Sequence, residues 1–175
     1  MAPQVEDVKI RPATVSDAKA IARVDVASWR SAYSEILPTS YLRSLDVSDR
    51  ADEWTAALTA PGARVLVAED GSDAIGFTSV GPSRDEDAEP GDLEIYAIYL
   101  HPKAWGSGVA RDLMRTVLAD VPNRTTVTLW ILEANERAKH FYRRHGFHPD
   151  GVERIDLIGD KPVTQLRYRR GPQTR

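Results

Sequence analysis

The amino-acid sequence predicts an α/β (α+β) fold, with a mixed and mostly antiparallel central sheet flanked by helices. Short β-rich runs, amphipathic runs with helical spacing and a hairpin signature lead to this prediction. At 175 residues with 42% apolar side chains, the chain can bury one sizeable core. We therefore expect one domain over residues 1–175, with its folded core at about 8–170.

The first third of the chain predicts one strand and two helices. Val8 to Arg11 form the strand, and Ser16 or Asp17 caps a helix whose apolar face contains Ala18, Ile21, Ala22 and Val26. The helical pattern continues through Trp29 and Tyr33 toward Leu37, where Pro38 breaks it. A second helix is predicted over 48–60, before Pro61-Gly62.

The middle of the chain predicts a hairpin followed by a loop. Two β-rich segments, RVLVAED and AIGFTSV, are separated by Gly71-Ser72-Asp73. The acidic stretch GPSRDEDAEPGD at 81–92 has no periodicity and predicts a loop. Its carboxylates, Asp85, Glu86, Asp87 and Glu89, are expected to be solvated; attraction of a cationic amine is the alternative.

The second half predicts strands alternating with two helices. LEIYAIYL at 93–100 is a strand, and from Gly108 an apolar helical stripe follows at Val109, Ala110, Leu113, Met114, Val117 and Leu118. TTVTLWIL at 125–132 is the next strand. Asn135 then caps a short helix that Gly146 ends, before two last strands at 152–159 and 162–170.

Composition excludes several function classes. The net charge is −3 and the pI about 5.8, so we expect no nucleic-acid or membrane partner. The chain has no cysteine, which excludes disulfides and thiolate chemistry. The four histidines lack metal-ligand spacing, so no metal is predicted. Neither a signal peptide nor a membrane span is evident, and we expect a cytoplasmic protein.

The stretch HPKAWGSGVARDLM, residues 101–114, places two glycines at the start of the predicted helix. The first amides of a helix lack intrahelical acceptors and attract anions, so residues 106–111 are a candidate phosphate site. No Lys-Ser/Thr follows the glycines, which excludes a P-loop. The dinucleotide fingerprint fails because its third glycine would fall at Arg111. An acyl-CoA site is left.

Two motifs resemble those of the GCN5-related N-acetyltransferases (GNAT family). Trp105, Gly108 and Ala110 occupy the defining places of the family's pyrophosphate motif Gln/Arg-x-x-Gly-x-Gly/Ala, with Trp105 in place of the usual Gln or Arg. The second motif is matched downstream by Asn135, Ala138, Phe141, Tyr142, Gly146 and Phe147. The resemblance spans roughly residues 8–170 and implies a GNAT-like domain that uses acetyl-CoA as acyl donor.

The resemblance also implies which residues contact acetyl-CoA. The pantetheine arm is expected to pair with the backbone of Ile98, Tyr99 and Leu100. The pyrophosphate is expected on the amides of Gly106, Ser107, Gly108, Val109, Ala110 and Arg111. Asn135 is expected to bond the cofactor arm, although a helix N-cap role alone would also explain it.

Acyl transfer to an amine requires a base for the nucleophile and an acid for the leaving thiolate. By resemblance Tyr142 is the acid; a core aromatic is the alternative. Glu94 is the base candidate and Tyr96 the reserve, because strand alternation places Glu94, Tyr96, Ile98 and Leu100 on one face. A solvated Glu94 and a water chain as base form the alternative.

The acceptor is predicted to be a primary amine of a small molecule or peptide, attacked directly in a ternary complex because no cysteine can carry the acetyl group. Trp29, Tyr33 and Tyr96 are candidate acceptor contacts, with core packing as the alternative for Trp29 and Tyr33. A non-catalytic acyl-CoA-binding or sensing module is the rival function, and a nucleotide-binding domain a more distant one. A homodimer through the C-terminal strands is compatible with the sequence.

Overall fold

The computed structural model describes residues 7–172, in which seven strands and five α-helices follow one another. The strands are β1 Val8–Pro12, β2 Arg64–Asp70, β3 Asp73–Pro82, β4 Leu93–Leu100, β5 Val127–Leu132, β6 His148–Ile158 and β7 Lys161–Arg170. The helices are α1 Ala18–Ala32, α2 Thr39–Ser44, α3 Val47–Thr59, α4 Val109–Ala119 and α5 Glu136–Arg144. Residues 1–6 and 173–175 of the predicted domain lie outside this range. The expectation that no signal peptide is present concerns the first of these two segments.

The strands form one sheet in the order β1-β2-β3-β4-β5-β7-β6. The β4–β5 pair is parallel and the other five pairs are antiparallel. The sheet is therefore mixed and mostly antiparallel, as the sequence predicted. The hairpin of β2 and β3 and the C-terminal pair of β6 and β7 supply much of the antiparallel pairing.

The end of α1 differs from the prediction. The helix stops at Ala32, and the amides of Ile36 and Leu37 bond back to the Tyr33 carbonyl in a turn. Tyr33 and Leu37 are nevertheless both buried in one apolar cluster. Their spacing reflects packing against that cluster rather than a continued helix, and the unpredicted α2 begins directly after Pro38.

The core lies on both faces of the sheet. On one face α4 buries Leu113 and Met114 against the inner strands, including Leu129 and Tyr168. On the other face α1 and α3 cover Phe77. Burying large apolar side chains on both faces makes the strands a rigid frame for whatever site forms at their edges.

A β-bulge interrupts the face alternation predicted for β4. Ile95 lies opposite Val80 and Ala97 lies opposite Ser79, so Tyr96 has no partner residue on β3. An extra residue reverses the alternation beyond it. The prediction that Glu94, Ile98 and Leu100 share a face was therefore wrong, because Ile98 and Leu100 join the α4 side of the core.

The sheet opens between β4 and β5. Only Leu93–Val127 and Glu94–Thr128 are paired there. Beyond Glu94 the strands diverge, so the remaining edge of β4 has no strand partner on that side. This opening leads directly to the loop before α4. No helix within residues 7–172 is both long and apolar enough to cross a bilayer.

Candidate active site

The loop before α4 exposes a row of unpaired backbone amides. Gly106 and Gly108 adopt positive φ of 76° and 88°, and Gly108 is the N-cap of α4. Within residues 7–172 no acceptor bonds the amides of this set: Gly106, Gly108, Val109, Ala110 and Arg111. A row of free donors at the positive end of a helix is an anion site.

Ser107 differs from its neighbours in this loop. Its amide donates to the Ala104 carbonyl at 3.2 Å, and its hydroxyl donates to the same oxygen. The tight turn formed by the 3-10 segment before it directs the Ser107 amide inward. The prediction that Ser107 contributes its amide to the anion site is therefore corrected.

Arg111 and Arg115 lie in the first two turns of α4. Arg111, Arg115, Arg144 and Arg170 all act on His145, the residue that ends α5. Burial lowers the pKa of His145, and these four arginines lower it further. The charge of Arg111 and Arg115, on the helix that carries the free amides, favours an anion with more than one negative charge.

Trp105 joins the glycine loop to both β4 and α5. Its indole nitrogen donates to the Leu100 carbonyl at 3.2 Å. The Arg137 guanidinium lies 4.4 Å from the centre of its ring, a cation–π contact. The side chain that departs from the family motif thus fixes the position of the loop.

The open edge of β4 presents the backbone of alternate residues. The His101 amide donates to Ile75 of the β3 side. In an antiparallel pair, orientation alternates, so Tyr99 also faces β3 while Ile98 and Leu100 face the opening. The prediction that Tyr99 pairs its backbone with a ligand is corrected. The Leu100 carbonyl accepts the Trp105 indole. The backbone groups that remain free to pair with a ligand are therefore the Leu100 amide and the amide and carbonyl of Ile98.

Tyr142 lies on α5 facing the core and the opening. It is half-buried, and its ring contacts Phe141 and Phe147 edge to face at centroid distances of 5.2 and 6.0 Å. Burial raises the pKa of Tyr142 above its ordinary value of 10.0, and Tyr33 raises it further. The phenol is protonated at neutral pH and can donate a hydrogen bond or a proton.

Three aromatic residues and Asn135 gather beside Tyr142. Trp29 packs on Tyr33 at 4.9 Å and on Tyr99 at 6.4 Å between ring centres. Burial raises the pKa of Tyr33, while polar contacts with Tyr99 and Asn135 oppose that rise. The Asn135 oxygen also accepts the Ala138 amide at 3.1 Å, so the predicted N-cap role is present.

Glu94 lies at the point where β4 and β5 diverge. It is 3% exposed, so the alternative of a solvated residue does not hold. One carboxylate oxygen accepts the Arg84 amide at 3.0 Å and the other accepts its guanidinium at 2.8 Å. Buried carboxylates require such partners. Arg84 therefore holds Glu94 in one orientation.

Tyr96, the reserve base, is separate from the aromatic cluster. Its hydroxyl donates to the Pro82 carbonyl at 2.5 Å, and the Arg84 guanidinium lies 4.0 Å from its ring centre. Tyr96 and Glu94 both contact Arg84. Tyr96 does not belong to the cluster of Trp29 and Tyr33 that was predicted with it to contact the amine substrate. Because of the bulge, Glu94 and Tyr99 pair with Gly81 and Phe77, which are four residues apart on β3, or about 13 Å at 3.3 Å per residue.

A cavity of about 300 Å³ lies between the end of α1 and the start of α5. It is lined by Ser31, Ala32, Ser34, Glu35, Ile36, Ala134, Asn135, Glu136 and Arg137. Asn135 connects this cavity to the aromatic cluster through Tyr33. No group of histidine, aspartate and glutamate side chains in the described part of the chain is arranged to hold a metal ion.

Sequence reasoning missed Arg84 and Arg137. Both act on other side chains of the site, Arg84 on Glu94 and Arg137 on Trp105. Arginines are common on surfaces, and neither has a sequence signal of its own. The position of Arg84 ten residues before Glu94, across a predicted loop, offered only the weak signal that the loop could fold back onto the strand.

Comparison with known proteins assigns the sequence to a family. The model of the acetyltransferase (GNAT) family matches residues 26–147. An uncharacterized N-acetyltransferase of Bacillus subtilis, YuaI, is 37% identical over 130 residues, which is 73% of either chain. A probable N-acetyltransferase of Mycobacterium tuberculosis is 28% identical over 83% of this chain and 82% of its own.

Solved structures share the fold at low sequence identity. The PaiA N-acetyltransferase of Thermoplasma acidophilum, in complex with coenzyme A, gives a TM-score of 0.74 at 17% identity, covering 94% of this chain and 99% of its own. YncA of Salmonella typhimurium, a putative acetyltransferase with its cofactor acetyl-CoA, gives 0.72 at 18% identity, covering 97% and 96%. The family match over residues 26–147 and the Bacillus subtilis relative show that the chain belongs to the GNAT family of N-acetyltransferases.

Proposed function

We propose that this protein transfers the acetyl group of acetyl-CoA directly to a primary amine of a small molecule or peptide. The observation that carries the proposal is the continuity of two unpaired backbone surfaces. The free amides at the start of α4 adjoin the open edge of β4. A ligand with phosphates at one end and amides along its length matches both surfaces.

The residues present fit acetyl-CoA. The amides of Gly106, Gly108 and the first turn of α4 would hold its pyrophosphate, and Arg111 and Arg115 would balance its charge. The backbone of Ile98 and the amide of Leu100 would hold the pantetheine arm. When bound, acetyl-CoA supplies the acetyl thioester.

Two side chains supply the proton transfers. The Tyr142 hydroxyl, which is protonated at neutral pH, donates to the departing thiolate. The Glu94 carboxylate takes the proton of the amine. Because Glu94 lies about 13 Å along the sheet from Tyr99 and its cluster, it acts through ordered water rather than by direct contact.

The acceptor enters on the side of α1. Trp29 and Tyr33 are packed into the aromatic cluster, and Tyr33 is only 7% exposed. They therefore form one wall of the acceptor site and do not make polar contacts with the amine. The cavity beside Asn135 gives a small acceptor room next to that wall. With no cysteine in the chain, the transfer proceeds in a ternary complex.

Release of free CoA thiol with a panel of primary amines tests the proposal. Substituting Tyr142→Phe removes the proton donor but keeps the ring, so kcat should fall about 100-fold or more while acetyl-CoA still binds. Tyr168→Phe, in the core below α4, is the matched control and should keep kcat.

Two results would contradict the proposal. Unchanged turnover in Tyr142→Phe would remove Tyr142 as the acid. Binding of acetyl-CoA without CoA release on any amine tested would instead support the non-catalytic acyl-CoA-binding module.

A further inference from the structure

Arg167 on β7 is a buried cation held by three carboxylates. It is 3% exposed. Its guanidinium bonds Asp150 at 2.7 Å and Asp87 at 2.6 and 2.7 Å, with a longer contact of 3.3 Å to Asp85. A buried guanidinium is tolerated only when its donors are satisfied in this way. Arg167 is therefore a fixed point of the structure.

Two of these carboxylates come from the other half of the sheet. Asp85 and Asp87 lie in the loop between β3 and β4, whereas Arg167 belongs to the β5-β7-β6 half. Asp85 also accepts the Trp130 indole of β5 at 3.0 Å. Since β4 and β5 share only two paired positions, this loop contact is a second attachment between the halves.

The same loop orients Glu94. Arg84, next to Asp85 in the chain, donates its amide and its guanidinium to the two Glu94 oxygens. Its side chain is 66% exposed, so burial alone does not hold it in place. The backbone position of Arg84 is set by the loop, and the loop is docked by Arg167.

We propose that Arg167 is a positioning residue for Glu94, acting through Asp85, Asp87 and Arg84. This inference rests on the proposed role of Glu94 as the base. The acidic loop that the sequence offered as an attractant for a cationic amine instead uses Asp85 and Asp87 to dock onto the sheet. Releasing it lets Arg84 and Glu94 leave the orientation that proton transfer requires.

The first test is the steady-state rate of Arg167→Ala with a reactive amine. kcat should fall about 10- to 100-fold, as for other misplacements of a catalytic group, and KM for acetyl-CoA should stay unchanged because the glycine loop is not contacted. Arg169→Ala is the matched control. Arg169 lies on the same strand and contacts Asp150 at 3.3 Å without reaching the loop, so kcat should be kept.

A double-mutant cycle with Glu94→Gln separates positioning from mere stability. Once the carboxylate is gone, Arg167→Ala should lower kcat no further. If instead the two substitutions reduced kcat by the product of their separate factors, the inference would be overturned, because Arg167 would then act independently of Glu94. If Glu94→Gln itself kept full kcat, the proposed base would fail, and this inference with it.

Asp87→Ala covers the case in which Arg167→Ala does not fold. The Asp87 side chain is 57% exposed, so its removal creates no internal cavity, and Arg167 keeps its bonds to Asp150 and Asp85 while the loop loses its closest contact. It should lower kcat in the same direction at an unchanged KM for acetyl-CoA, and Arg167→Lys should recover part of the activity. Loss of activity in Glu94→Gln with full kcat in Asp87→Ala would overturn the positioning role alone.

Discussion

Gly108 shows how one backbone torsion prepares the anion site. At a φ of 88° it turns the chain so that the following amides point outward together. For a residue with a Cβ atom this left-handed region costs about 1–2 kcal/mol, and a Cβ here would also lie 3.4 Å from the Arg111 guanidinium. The site therefore depends on the residue that has no side chain.

Gly108→Ala should weaken acetyl-CoA binding about tenfold, the equivalent of 1.4 kcal/mol, by displacing the amides and Arg111. Gly71→Ala is the matched control, since Gly71 lies in the β2–β3 turn with a φ of 63°, and a Cβ atom there would meet nothing within 4 Å. By titration calorimetry Gly71→Ala should bind acetyl-CoA with the affinity of the unmodified protein. Its loss of stability should be comparable to that of Gly108→Ala. Equal affinity in both variants would mean that the loop is not the phosphate site.

At the residue scale the sequence predicted side chains better than backbone direction. The two glycines before α4 and Tyr142 on α5 were placed by motif. The inward amide of Ser107 and the β3-facing backbone of Tyr99 were not, because each depends on a hydrogen bond to a residue whose position follows only from the folded register.

Helix α5 carries a pH-sensitive residue at its end. Burial and four neighbouring arginines lower the pKa of His145 below its ordinary value of 6.5. Between the two values the unfolded chain binds more protons than the folded one, so stability rises with pH through this window. The contribution is complete above pH 6.5 and is lost as pH falls through the lowered pKa.

The melting temperature of the free protein should therefore decline below pH 6.5, and His145→Gln should decline less steeply. Some slope should persist, because burial also lowers the pKa of His101. His140→Gln, an exposed position of the same helix, is the control and should follow the unmodified protein. Parallel curves for His145→Gln and the unmodified protein would contradict this account of α5.

At the element scale, the ends of helices and strands could be predicted where a local sequence signal sets them, but not where tertiary packing does. α3 and α4 begin within a residue of their predicted starts because Asp46 and Gly108 cap them. The bulge at Tyr96 could not be predicted, since no glycine or proline marks it. It arises from the register that β3 and β4 adopt together.

The whole molecule is two half-sheets joined at a narrow contact. The halves share Leu93–Val127 and Glu94–Thr128 as paired positions, and the loop docked on Arg167 adds a second link. The opening thus formed faces both the glycine loop and the aromatic cluster. The fold class was predictable from the order of elements, but the divergence of β4 from β5 was not, because strand patterns do not encode where pairing stops.

The central claim is that this opening binds acetyl-CoA. Thermal unfolding with acetyl-CoA, CoA, NAD and ATP at matched concentrations tests it most directly, since a ligand that binds only the folded state stabilises it by about 2.7 kcal/mol at 100 times its Kd. We predict a raised melting temperature with acetyl-CoA and CoA alone. No shift with either, or a larger shift with NAD or ATP, would contradict the account.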